Sequence, residues 1–96
     1  MKKMTDAEIA AALPTLAGWA LKDGKLHRQY KFPDFKKAMD FMQAAVVGIE
    51  KMNHHPEWAN VYNQVTVDLN THDAGGITAK DFELGALLEE LSKKSL

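Results

Sequence analysis

The chain of 96 residues carries 12 Lys and Arg against 13 Asp and Glu, four His and no Cys, a formal charge of -1 with His neutral. At 46% apolar and 26% charged residues it reads as one ordinary globular domain over 1–96, with material for a single core. This composition excludes a disulfide scaffold, an iron–sulfur site and a thiol nucleophile, and near-zero charge argues against electrostatically driven nucleic-acid binding. No apolar run approaches the ~20 residues needed to cross a bilayer and no signal peptide is evident, so a cytoplasmic protein without membrane attachment is expected.

Thr5-Asp6-Ala7-Glu8 has the form of a capping box and predicts a helix over about 5–13, stopped by Pro14. From Trp19 the period changes to two. Asp23-Gly24 suits the positive φ angles of a two-residue hairpin turn, and Leu26, Arg28, Tyr30 and Phe32 alternate with polar residues, Arg28 being the exception on that face. Phe35, Ala38, Met39, Met42, Ala45, Val46, Ile49 and Met52 have the spacing of an amphipathic helix. That helix must end near Asn53 to His55, because Pro56 disfavours helical backbone at the residue before it.

Trp58, Val61 and Tyr62 form a short strand, with a reversal predicted at Asn63-Gln64. Val65, Val67 and Leu69 then alternate with Thr66, Asp68 and Asn70, and continued alternation places His72 on the polar face. Gly75-Gly76 breaks the chain. Thr78 is a cap for a last helix, with Asp81 in its first turn and Leu84, Leu87, Leu88 and Leu91 on its apolar side. The order α-ββ-α-ββ-α predicts a two-layer α+β fold, a four-stranded antiparallel sheet with helices packed on one face. An edge strand is left to pair across a subunit boundary.

His54-His55 and His72 fall at element ends. Imidazole titrates near pH ~6.5, so such histidines supply a proton donor and an acceptor without a cofactor. The same placement suits plain helix-end capping, because imidazolium is favoured at a helix C-terminus. Glu50, four residues before His54, can pair with it as a supporting carboxylate or as an ordinary surface ion pair. Asp81 stabilises a helix start whether or not it serves a site. A three-histidine zinc site is the competing chemistry, but the helical His-Glu-x-x-His spacing is absent and no metal is expected. His27 reads as a solvated strand residue, Ser92 and Ser95 lie in a polar tail unsuited to a nucleophile, and Gly75-Gly76 lacks the motif of a phosphate loop.

The run Glu50-Lys-Met-Asn-His54-His55-Pro56-Glu57-Trp58, with Asn60-Val61-Tyr62-Asn63, Thr71-His72-Asp73, Gly75-Gly76 and Asp81, closely resembles the pterin-4a-carbinolamine dehydratases. The resemblance implies a hydro-lyase, a 4a-hydroxytetrahydrobiopterin dehydratase. It would convert 4a-hydroxytetrahydropterin, released by aromatic amino acid hydroxylases, to quinonoid dihydropterin and water in tetrahydrobiopterin recycling, with no cofactor. By that similarity His54 and His72 are the acid–base pair and His55 binds and orients the pterin. Pro56, Thr71, Asp73 and Ala74 line the pocket, Glu50 and Asp81 support it, and Trp19 stands near its edge. The resemblance also implies a homodimer or homotetramer, an aromatic amino acid hydroxylase in the same pathway and, as an alternative role, a dimerisation cofactor that binds a transcription regulator.

Overall fold

The structure, a computed structural model, describes residues 2–96. The capping box at the start is formed: Glu8 N–H donates to Thr5 Oγ1 at 3.1 Å and Thr5 N–H to Glu8 Oε1 at 2.8 Å. It opens α1 (Asp6–Ala12), which tightens into a 3-10 turn, Leu13–Thr15, with Pro14 inside it. Helical backbone therefore outlasts the predicted stop, because Pro at the start of a tight turn gives up an N–H that had no partner there.

Strands β1 (Ala20–Lys22) and β2 (Lys25–Lys31) meet at Asp23-Gly24, both with positive φ, as the sequence predicts. Asp34 Oδ1 accepts the Lys37 N–H at 2.8 Å and starts α2 (Phe35–Met52). Two assignments on α2 change. Phe35 and Val46 are exposed, whereas Phe41 is fully buried in the core facing the sheet. Strands β3 (Glu57–Val61) and β4 (Gln64–Leu69) are joined at Tyr62-Asn63, one residue earlier than predicted, with Tyr62 at φ 53°. Strand β4 stops at Leu69, and a 3-10 turn over His72–Ala74 replaces the expected extended run. Helix α3 (Ala79–Lys93) completes the chain.

The sheet is antiparallel throughout, in the order β1-β2-β4-β3. Leu26, Tyr30, Val65, Val67 and Leu69 face Ala38, Phe41, Ala45 and Ile49 of α2 and Leu84 and Leu88 of α3, all buried. Burying each large aliphatic or aromatic side chain of that set contributes about 1.5–3 kcal/mol against exposure. Helix α3 packs tightly on α2 at Gly48, where an added Cβ would lie 2.2 Å from Leu87 Cδ2. The opposite sheet face carries Lys25, His27, Thr66, Asp68 and Glu57, with Asp68 opposite His27 on one side and Glu57 on the other. The α+β fold with the order α-ββ-α-ββ-α is thus the one the sequence predicts. Among the described residues, no helix is long and apolar enough to cross a membrane.

Candidate active site

Two loops converge on the start of α3 at one end of the molecule, and the end of α2 sets the first. Asn53 adopts left-handed backbone, φ 49° and ψ 44°. Its N–H reaches the Glu50 carbonyl at 3.1 Å while the His54 N–H reaches Ile49 at 3.2 Å, the paired bonds of a Schellman motif. The chain then turns off the helix axis, so His54 leaves the helical face it would have shared with Glu50. The expected Glu50–His54 pair does not form. Glu50 Oε2 instead meets His55 Nε2 at 2.7 Å, on the surface.

His54 turns inward. Its Nε2 lies 2.5 Å from Oδ1 of Asp81, which is fully buried, while His54 is 9% exposed. Asp81 is the third helical residue of α3. Its Oδ2 accepts the Thr78 N–H and the Thr71 hydroxyl, each at 2.9 Å, and the Thr71 and Thr78 hydroxyls are 2.8 Å apart. One carboxylate therefore closes the capping box of α3, braces His54 and ties down the loop after β4. The capping role and the site role, alternatives in the sequence, are the same set of bonds.

The second loop, after β4, is closed by Thr71 and Gly76, which exchange backbone hydrogen bonds at 2.8 and 3.3 Å. Between them His72 stands exposed, with Nε2 3.3 Å from Glu57 Oε2. Glu57 Oε1 in turn accepts from Lys25 Nζ at 2.6 Å. That bond and the charges of Lys25 and His72 hold the Glu57 carboxyl below its ordinary value, and the Lys25 ammonium is pushed up by the same partner.

A cleft of about 240 Å³ lies between these loops, lined by Asn53, His54, His55, Asn70, Thr71, His72 and Asp73. The structure thus brings together His54, His55, His72, Thr71 and Asp73. Pro56 and Ala74 adjoin the cleft in the chain without lining it, and Glu50 and Asp81 act from behind their histidines. Trp19 lies elsewhere: it is buried, donates Nε1–H to Glu89 Oε1 at 2.8 Å and borders a surface groove with Ala10, Leu13 and Pro14. A larger groove of about 540 Å³ runs over Gly48, Met52 and Leu87 with no histidine in its lining. Among the described residues no group of three or more His, Asp or Glu is arranged to hold a metal ion.

Two contributors carry no site role in the sequence analysis. Thr78 was legible only as a cap, although the i, i+3 spacing to Asp81 is the signal that both belong to one bonded unit. Glu57 could have been found from its position directly after His54-His55-Pro56, at the start of a strand whose first side chain faces the polar side of the sheet.

What this arrangement can do is acid–base chemistry on a small polar molecule. Three imidazoles border one cleft, and each has Nε2 against a carboxylate. In the hydrogen bonds of His54 and His55 the carboxylate can only accept, so Nε2 is the donor there and Nδ1 is the other nitrogen of the ring.

Comparison with known proteins places this architecture. The model of the family described as Pterin 4 alpha carbinolamine dehydratase matches residues 2–91, and the chain belongs to that family. A Solibacter usitatus protein, provisionally named pterin-4-alpha-carbinolamine dehydratase, is 57% identical over 90 residues, covering 94% of this chain and 95% of its own. An Opitutus terrae protein with the same provisional name is 51% identical, covering 93% of each chain. Among solved structures, a transcriptional coactivator/pterin dehydratase from Brucella melitensis superposes with a TM-score of 0.91 at 39% identity, covering 95% of this chain and 99% of that one. A pterin dehydratase-like protein described as a RuBisCO assembly factor of the alpha-carboxysome shares the fold alone, at a TM-score of 0.64 and 17% identity over 77% of this chain and 86% of that one.

Proposed function

We propose that this chain dehydrates 4a-hydroxytetrahydropterin to quinonoid dihydropterin, by acid–base catalysis from the histidine cleft. The observation that carries this reading is the bracing of His54 by buried Asp81 on a cleft that His72 also borders. In the reaction the C4a–O bond breaks, the departing hydroxyl takes a proton and leaves as water, and the neighbouring ring nitrogen loses its proton as the C=N bond forms. One group must give a proton and another take one. His54 and His72 fill those roles, while His55, held by Glu50, binds and orients the ring alongside Thr71 and Asp73. A positioned acid and base are each worth ~10²- to 10⁴-fold, enough for loss of water without a metal or redox group.

This reading places the enzyme in the cytoplasm, downstream of an aromatic amino acid hydroxylase, as a homodimer or homotetramer. The rate of 4a-hydroxytetrahydropterin dehydration in the presence of EDTA tests it. Acceleration by the wild type, lost in both His54→Ala and His72→Ala, is expected. No acceleration over buffer by the wild type rejects it.

The Brucella relative's double name supports a second reading, partner binding through an exposed surface. Val46 at 48% and Val47 at 73% exposure offer one on α2, on residues outside the cleft lining. His54→Ala should leave such binding intact, which separates the two activities.

A further inference from the structure

The three histidines of the cleft are not held alike. His54 is fixed by a buried carboxylate at 2.5 Å and His55 by Glu50 in the last turn of α2 at 2.7 Å, but His72 sits on a tight turn with its side chain 78% exposed. Its one charged contact among the described residues is Glu57 Oε2 at 3.3 Å, reached from a different strand. Glu57 is the first residue of β3, immediately after His54-His55-Pro56, so this contact spans the two loops that carry the histidines. Both carboxylate oxygens are used: Oε2 faces His72 and Oε1 accepts from Lys25 Nζ, on β2. Directly across the β3–β4 ladder stands Asp68, a like charge whose own partner is His27 Nδ1 at 2.8 Å. Lys25 therefore offsets the crowding of two carboxylates and keeps Glu57 ionised and turned toward His72.

Building on the dehydratase reading, we propose that Glu57, anchored by Lys25, is the positioning residue of His72. Glu57 takes the Nε2–H of that ring and leaves Nδ1 to exchange the proton with the bound carbinolamine. Glu57 touches neither substrate nor reacting atoms; it acts only through His72. The contact is the longest of the three, as expected of an open site whose catalytic hydrogen bonds tighten when substrate arrives.

Full-length protein carrying Glu57→Ala, Glu57→Gln, Lys25→Ala, His72→Ala and the Glu57→Ala/His72→Ala pair tests this, with dehydration kinetics and a thermal melt on each. Glu57→Ala should lower kcat about tenfold, part of the ~10²- to 10⁴-fold an acid–base group supplies, with KM within about twofold and the melt unmoved. Glu57→Gln keeps an acceptor and should recover most of the loss, and Lys25→Ala should lose about threefold, less than Glu57→Ala. In the His72→Ala background, Glu57→Ala should change the residual rate by less than about twofold, since residues that act as a unit are not additive. Full activity of Glu57→Ala in an active wild-type background overturns the assignment, and so does an equal loss with or without His72. An inactive wild type instead overturns the dehydratase reading, and this assignment falls with it.

Discussion

Helix α3 carries a carboxylate with several hydrogen-bond partners near each end, and the two do different things. Asp81 in the first turn meets His54, Thr71 and Thr78. Glu89, two turns on, accepts through Oε1 alone from Trp19 Nε1 at 2.8 Å, Arg28 Nε at 2.9 Å and the Tyr30 hydroxyl at 2.6 Å. Both clusters join α3 to the rest of the fold. Only the Asp81 cluster contains an imidazole, and that imidazole lines a cleft. Arg28 stays charged, indole only donates, and burial first, then the bond and charge of Glu89, pushes the Tyr30 hydroxyl well above its ordinary value of 10.0. Burial and bonding therefore do not make a site. The difference is that one partner of Asp81 is an imidazole, whose second ring nitrogen can give or take a proton, while the partners of Glu89 are an indole, a guanidinium and a phenol held as donors.

The sharpest way to break this comparison is to exchange the phenotypes. His54→Ala should reduce kcat/KM by about 10²-fold or more while circular dichroism shows the fold retained, since water can enter the vacated cleft beside Asp81. Asp81→Ala should fail in both respects: it removes the carboxylate half of the α3 capping box, worth about 1 kcal/mol, and frees Thr71 and His54 at once. Urea unfolding and steady-state kinetics on that variant separate the two losses. A variant that unfolds early yet turns over normally would show Asp81 to be a cap alone.

Glu89→Ala should do the reverse. It strands the Trp19 and Tyr30 donors beside the core, at a cost of about 1–3 kcal/mol, and should leave kcat/KM within about twofold of wild type. Glu89 also gives the acid side of the stability curve its shape. Burial raises its carboxyl, but the bonds from Tyr30, Arg28 and Trp19 and the Arg28 charge outweigh that and hold it below 4.5. A carboxyl depressed in the folded state contributes stability above its unfolded value that is lost as pH falls through the folded one. Unfolding free energy of the wild type should therefore fall faster on acidification below about pH 4.5 than that of Glu89→Gln, a slope that urea melts at successive pH values measure.

The comparison also explains what the sequence could and could not disclose. Both capping boxes, the Asp-Gly hairpin and α2 rest on neighbours in the chain, and each is where local pattern puts it. The histidine cleft was partly legible because its residues cluster in two short segments. The true partner of His54 was not, because one left-handed residue, Asn53, turns the chain off the helix and reassigns Glu50 to His55. The turn at Tyr62-Asn63 was displaced for a similar reason: Tyr62 takes positive φ, which turn chemistry assigns to Asn or Gly. Glu89 left no local trace, since its donors lie 59 to 70 positions away. Arg28 on an apolar strand face was the one visible sign, a charge that needed a partner across the core.

The smallest effect probes one spoke of the structural cluster. Tyr30→Phe removes the 2.6 Å hydroxyl bond to Glu89 and leaves the ring packed against Phe32 and Phe41 at 6.0 and 5.1 Å between centroids. With Trp19 and Arg28 still bonded, Glu89 keeps two donors, so the loss should be near the ~1 kcal/mol of a single net hydrogen bond, with activity unchanged. The sign with pH follows from the raised hydroxyl: the Tyr30 contribution is present below its unfolded value near 10.0 and is lost as pH rises toward the folded one. Wild type and Tyr30→Phe should therefore differ in urea midpoint at neutral pH and draw together in strong alkali. A gap that stayed constant would mean that the hydroxyl contributes through packing and not through its proton.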